Sequence, residues 1–187
     1  MANIFFTSDT HFGHEGIIKH VSRPFPDSFT MDGELVRRWN SVVGPEDTVY
    51  HLGDLSFKGV SYTAHILEQL NGHIHWVLGN HDKALKNKQE IKARMSSIQP
   101  MLEVSIEGKH IVMCHYPMLT WNKAHYGSWM LHGHSHGTLK HPYPGMRLLD
   151  VGCDTHQLIP YSFAEVEAYM TGRQYNEVDH HTTKEHP

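Results

Sequence analysis

The 187-residue sequence predicts an α/β fold in which two packed mixed β-sheets are flanked by helices. Three features carry that reading. In the first half, short β-prone apolar runs alternate with stretches of helical spacing, the pattern of strand–helix units. In the second half, strand-like runs follow one another without helices, which suggests a more antiparallel sheet packed on the first. Each early run also stops at a polar cluster, as strands do when their carboxyl ends open into functional loops.

Taken in order, residues 3–8, 47–52, 73–78 and 109–114 read as strands. Between them, 32–43 and 60–70 have helical spacing, with Leu35, Val36, Trp39 and Val42 on one face of the first and Ile66, Leu67 and Leu70 on the second. Residues 83–94 ("KALKNKQEIKAR") read as a lysine-bearing helical face that Asp82 would cap. Further strands are expected at 101–106, 128–132 and 146–151, and a closing helix at 162–170. A single domain is expected over 1–173. Residues 174–187, with His180, His181 and His186, are polar and lack apolar periodicity, so they are expected to form a frayed tail.

Composition narrows the function classes. The hydrophobic fraction is 39% and the formal net charge is −4, so no global positive field draws the chain to nucleic acid or anionic membrane. Nowhere do about eighteen apolar residues run together, and the first residues lack a basic start and an apolar stretch. The expectation is a soluble, unexported, cytoplasmic protein without membrane contact and without an obligate protein partner. Two cysteines, Cys114 and Cys153, are too few for a disulfide framework.

The chemistry sits at the strand ends. "SDTHFG" offers Asp9 and His11; "LGDLSFKG" offers Asp54 between glycines; "LGNHDK" offers Asn80, His81 and Asp82; "MCHYPM" offers His115; "MLHGHSHGT" offers His132, His134 and His136 at alternate positions. If that last segment is extended, alternate side chains leave on one face. Carboxylate, amide oxygen and imidazole suit divalent manganese, iron, zinc or nickel. Seven such groups are too many for one tetrahedral ion. They fit two ions about 3.5–4 Å apart, with one carboxylate between them.

In order and spacing these blocks resemble the signature of the calcineurin-like metallophosphoesterases: Asp-x-His-x-Gly at Asp9–Gly13, Gly-Asp followed by Gly59, Gly-Asn-His-Asp at Gly79–Asp82, the lone His115, and Gly-His-x-His ending at His136. The resemblance spans Asp9 to His136. It implies a metallophosphoesterase-like α/β sandwich with a dimetal site at the strand carboxyl ends. Asp9, His11 and His136 would hold the first metal and Asn80, His115 and His134 the second, with Asp54 bridging; manganese is expected, with iron, zinc, nickel or magnesium as alternatives. A water shared by the two cations would supply the hydroxide, and His81 would stand beside the leaving group. His132 falls outside the pattern and is assigned an orienting or structural role.

The protein serine/threonine phosphatase branch carries an acidic residue and an arginine where this chain has Phe57 and Lys58, and glutamate where it has Asp82. The resemblance is therefore closer to small bacterial or phage-type phosphoesterases. The expected substrate is a phosphodiester, preferred over a small phosphomonoester, and a nucleotide or oligonucleotide end is the candidate class. Arg23, Asp82, Lys83 and His14 are the candidate substrate contacts, and the aromatic stretch 116–129 is a candidate cover for the site. Two other classes are weighed: an interaction scaffold that keeps the fold without catalysis, and a metal-storage protein exploiting the 19 histidines. The intact ligand set argues against the first, and the lack of a second ligand cluster argues against the other.

Overall fold

The computed structural model describes residues 2–140, 143, 145–176 and 178. A five-stranded sheet has the order β4-β3-β2-β1-β9, with β1 (Ile4–Thr7), β2 (Thr48–His51), β3 (His73–Val77) and β4 (Met95–Gln99) parallel and β9 (Tyr161–Ser162) antiparallel on the edge. The four-stranded sheet runs β5-β6-β7-β8, comprising Met101–Ile106, Lys109–Cys114, Trp129–His132 and Leu148–Asp150. Only the β5–β6 hairpin is antiparallel; β6, β7 and β8 are parallel. Both sheets are thus mixed, as expected, but the antiparallel character expected of the second is confined to that hairpin. Among the described residues its two crossovers contain no α-helix, only a 3-10 turn at Ala124–Tyr126, and so they left no helical spacing in the sequence.

The strand pleat sorts side chains into three layers. Phe5, Val49, Ile74 and Trp76 face the helices, whereas Phe6, Tyr50 and Val77 face Ile111, Met113, Trp129, Leu131 and Leu149 of the other sheet. Val112, Met130 and Leu148 project outward again and are covered by Trp121, Ala124 and Met146. Both sheets are therefore buried on both faces over these positions, which is why their strands read as continuous apolar runs.

The helices follow from caps as much as from spacing. α1 (Glu15–His20) comes directly after the first polar cluster; at six residues it is too short to announce itself by periodicity. α2 spans Ser28–Val42, starting before the expected 32, because Asp27 accepts from the Thr30 amide at 2.7 Å. Met31, Leu35 and Trp39 form its buried stripe, while Val42 is turned out. α3 (Val60–Gln69) buries Thr63, Ile66 and Leu67. α5 (Phe163–Met170) opens with a Ser162–Glu165 capping box and adds Phe163, Val166 and Met170 to the seam between the sheets.

Residues 83–94 form no long helix. A 3-10 turn at Asp82–Ala84 and α4 (Gln89–Lys92) are separated by loop, because only Leu85 and Ile91 are apolar enough to bury there. At the other end, Gln174 donates to the Gly145 carbonyl, and Tyr175 and Val178 pack partly buried beside Met130 and Leu148. His180, His181 and His186 lie outside the described residues.

His51 at the end of β2 is buried and neutral. Its Nε2 lies 3.0 Å from Thr10 Oγ1, whose own hydroxyl donates to the Leu55 carbonyl, and its Nδ1 accepts from the Gly53 amide. Only the tautomer protonated at Nε2 satisfies both contacts. Burial, reinforced by the nearby His115, pushes its pKa down to about 3. The unfolded chain therefore takes up a proton near pH 6.5 that the folded chain refuses until about pH 3. This contribution to stability is complete above pH 6.5 and is lost as pH falls. We expect the unfolding free energy in urea to drop below pH 6.5 with a slope approaching about 1.4 kcal/mol per pH unit from this group. His51→Gln should flatten the profile by that amount; equal slopes for the two proteins would refute the assignment.

Candidate metal centre

Five loops at the carboxyl ends of β1, β2, β3, β6 and β7 converge. Their backbones are tied together past the strand ends: Asp9 N–H donates to the Gly53 carbonyl, His11 N–H to that of Asp54 and Phe12 N–H to that of Leu55, while Gly133 N–H reaches the His115 carbonyl. Asp9, His11, Asp54, His134 and His136 all have φ between 45° and 68°. Left-handed backbone is costly for residues with a Cβ, and its concentration in one set of loops marks a place where the surrounding structure dictates geometry. It also revises the origin of the alternating histidines. β7 ends at His132, and the turn through His134 and His136, rather than a strand pleat, aims those two imidazoles.

Glycines let these backbones meet. A Cβ on Gly79 would collide with Oδ1 of Asp54, and one on Gly133 with the Ser8 hydroxyl and Oδ2 of Asp9. Each carboxylate then has one oxygen held and one presented. Asp9 Oδ2 accepts from Ser8 Oγ at 2.5 Å and the His134 amide at 2.9 Å, and Asp54 Oδ1 accepts from the His81 amide at 3.0 Å. The presented oxygens meet the imidazoles. Asp9 Oδ1 is 3.8 Å from His11 Nε2 and 3.9 Å from His136 Nε2; Asp54 Oδ2 is 3.8 Å from His11 Nε2 and 3.5 Å from His115 Nε2.

Two groups of ligand atoms result, Asp9/His11/His136 and Asp54/His115/His134, with all atoms of each within 4.8 Å of one another. Asp54 Oδ2 lies between them. Asn80 joins the second group, its Oδ1 3.0 Å from His115 Nε2.

The donor chemistry fits divalent cations. Asp9 Oδ1 and both ring nitrogens of His11 are buried without a hydrogen-bond partner, a costly state for three polar atoms. His115 donates from Nδ1 to the Leu52 carbonyl at 2.8 Å, which in the neutral ring leaves Nε2 an acceptor, facing two further acceptors on Asn80 and Asp54. Acceptors aimed at one another call for a cation between them. Burial lifts Asp9 to about 6 against the opposing pull of His115, and lowers His11 to about 2, so the His11 imidazole stays uncharged and able to ligate.

Further groups hold the ligands in place. Burial opposes charge on His136, but Asp154, 2.7 Å from its Nδ1, and Asp9 outweigh burial and raise its pKa. Asp154 is in turn gripped by both arms of Arg23, at 2.8 and 2.9 Å, and the same guanidinium donates to the carbonyls of Asp9 and Thr10. Arg23 is therefore turned inward and buried, not exposed to substrate. Asp82 is likewise no substrate contact. It is fully buried and accepts the amides of Asp54, Leu55 and Gly79. Lys83 is exposed and is not among the residues lining the cleft, whereas His14 does line it.

His81 borders the cleft with its side chain 46% exposed and Nε2 3.9 Å from Asp54 Oδ2. His132 leaves β7 toward a separate cavity lined by Leu149, Asp150 and Tyr161, away from the ligands. Of the 116–129 stretch, Trp121 and Trp129 are core, and only Tyr116 approaches the centre, with its hydroxyl 3.4 Å from Asn80 Oδ1. Asp154 went unread in the sequence although "VGCDTH" has the same form as the other clusters, an acidic residue just past an apolar run.

Residues 2–168 match the calcineurin-like phosphoesterase superfamily domain. An uncharacterized protein of Methanocaldococcus jannaschii is 34% identical over 146 residues, which span 77% of this chain and 75% of that protein. The gene 66 protein of Mycobacterium phage D29 is 29% identical over 188 residues, spanning 86% and 92%. A crystal structure of a protein of unknown function from Aquifex aeolicus aligns with a TM-score of 0.72 at 26% identity, covering 90% of this chain and 100% of that one.

If Arg23 positions the first group of ligands through Asp154 and the Asp9 carbonyl, Arg23→Lys should keep the charge but lose the two-pronged grip. We expect calorimetric titration of manganese into stripped protein to show one of two sites weakened about 10- to 100-fold, the usual effect of removing a group that orients metal ligands. Equal weakening of both sites, or of neither, would contradict that role.

Proposed function

Because the chain belongs to the calcineurin-like phosphoesterase superfamily, we propose that it is a dimetal phosphohydrolase acting on phosphodiesters or small organic phosphates, with diesters preferred. The observation that carries this reading is the placement of Asp54: one oxygen is anchored by the His81 amide and the other lies between two groups of ligands. Asp9, His11 and His136 would hold one divalent cation and Asn80, His115 and His134 the other, with Asp54 shared; manganese is our choice, and iron, zinc, nickel and magnesium are accommodated by the same donors. Such a pair of cations, when bound, acidifies water and neutralises charge on a phosphoryl group.

We place His81 on the leaving-group side. Its ring borders the cleft while its backbone amide fixes Asp54, so the residue that orients the shared carboxylate also presents a proton donor beside it. As water oxygen bonds to phosphorus and the bond to the ester oxygen breaks, His81 gives that oxygen a proton, and the proton shed by water restores the imidazole. Diester preference is supported by the walls: no lysine or arginine is among the described residues lining the cleft, so a monoester's second negative charge gains no side-chain counter-charge. The unpartnered donors favour a metal-loaded enzyme over a scaffold that has lost its chemistry.

No helix among the described residues is long and apolar enough to cross a membrane. Cys114 and Cys153 are free thiols, which supports a reducing, cytoplasmic setting. The partner we propose is a small phosphorylated molecule, nucleotide-like in class, with no obligate protein partner.

Stripped protein restored with manganese should hydrolyse bis-p-nitrophenyl phosphate faster than p-nitrophenyl phosphate, and Asp54→Asn should abolish both activities. His81→Ala should retain its metals by elemental analysis and lose about 10²- to 10⁴-fold in kcat. If metal content fell with activity, His81 would be a ligand and not the acid. Silence toward both esters with two metals bound would favour the scaffold.

A further inference from the structure

Beside the ligands, the cleft has a second, unlike wall. It encloses about 420 Å³, and on one side the lining is Ile17, His20, His14 and Phe57 rather than charged groups. Phe57 and His14 are stacked with ring centroids 3.7 Å apart and planes 9° from parallel. Phe57 in turn lies 4.4 Å from the His81 ring and 5.1 Å from that of His11. A continuous shelf of rings thus begins at the proposed proton donor and runs alongside His11, whose ring is also 5.4 Å from that of His14. Phe57 is 38% exposed although large aromatic side chains gain most from burial.

The shelf is not loose decoration. Phe57 N–H donates to the Phe12 carbonyl and His14 N–H to the His11 carbonyl, while Phe12 N–H donates to the Leu55 carbonyl. The two rings therefore ride on the same two loops that present Asp9, His11 and Asp54, and are fixed relative to them. Lys58, next to Phe57, is not among the lining residues, and Arg23 is committed to Asp154 and the Asp9 and Thr10 carbonyls, which leaves it no part in countering a second phosphate.

We infer that the substituent leaving phosphorus carries an uncharged planar ring, as a nucleoside or an aryl group does, and that this ring stacks on the Phe57–His14 shelf beside His81. This inference rests on the phosphohydrolase reading and narrows its substrate class. A flat π-system adds to the end of an existing stack, with a gain in affinity that does not depend on hydrogen-bond readout. A polyphosphate or sugar-phosphate substituent would find apolar surface and no cation there. The expected ester is therefore one negative charge at phosphorus joined to a neutral aromatic.

Phosphonates test this without involving leaving-group reactivity. Binding of phenylphosphonate, cyclohexylphosphonate and methylphosphonate to the manganese-loaded full chain is measured by calorimetry, together with turnover of bis-p-nitrophenyl phosphate. We expect phenylphosphonate to bind roughly tenfold tighter than methylphosphonate and clearly tighter than cyclohexylphosphonate. Phe57→Leu should bring the phenyl-to-methyl ratio close to one, Phe57→Tyr should restore it, and His14→Leu should lower it. Equal binding of phenyl and methyl compounds by an active enzyme, or of phenyl and cyclohexyl compounds, overturns the stacking subsite while leaving the phosphohydrolase standing. No binding of any phosphonate and no turnover, with metals loaded, means that the phosphohydrolase reading itself has failed.

Discussion

Everything in this molecule is arranged around a repulsion. The oxygens of Asp9, Asp54 and Asn80 crowd against the Nε2 atoms of His11 and His115 across 3.0 to 3.8 Å, and Asp9 Oδ1 and both His11 nitrogens are buried without a hydrogen-bond partner. Such a cluster disperses unless a frame prevents it. The frame is the backbone ladder that runs on past the strand ends, where Asp9, His11 and Phe12 remain bonded to Gly53, Asp54 and Leu55 although the strands themselves have stopped. Left-handed turns at five ligand positions are what this continued pairing costs, of order 1–3 kcal/mol each. The three layers of apolar side chains behind the loops supply the rigidity that sustains it.

Charge placement follows from the same need. Asp82 and Arg23 look, as residue types, like groups for substrate, yet each is spent on carbonyls and amides of the ligand loops. Asp82 gathers three backbone N–H groups from the β2 and β3 loops. Arg23 gathers two carbonyls from the β1 loop and the carboxylate that orients His136. A buried carboxylate and a buried guanidinium are tolerable because their hydrogen-bonding groups find complementary partners. With these charges drawn inside, the open side of the cleft is left to rings.

How far the sequence disclosed this differs from residue to residue. The parallel strands were legible because both of their faces are buried, and Asp9, His11, Asp54, Asn80, His115, His134 and His136 were legible because polar residues at strand ends are conspicuous against apolar runs. β4 leaves little signal: Met95 and Ile98 are its only large apolar residues, they do not alternate, and none of its residues is fully buried. The parallel pairing of β6, β7 and β8 was hidden by crossovers without helices. Arg23 and Asp154 are separated by 131 positions, and no local pattern says that a charge after α1 will meet a carboxylate after β8. The Phe57–His14 stack was equally out of reach, since its rings come from loops joined only by cross-strand pairing.

Each ligand group draws on both sheets. Asp9 and His11 follow a strand of the five-stranded sheet and His136 a strand of the four-stranded one; Asp54 comes from the first and His115 and His134 from the second. A cation seated in either group is thus a cross-link between two halves that otherwise meet mainly through apolar side chains along their seam. Its binding energy becomes cohesion of the whole molecule, growing with the logarithm of free metal concentration above the dissociation constant. Metal supply would then bear on the persistence of the fold as well as on chemistry at the site, with a starved chain softened along the line where its sheets join.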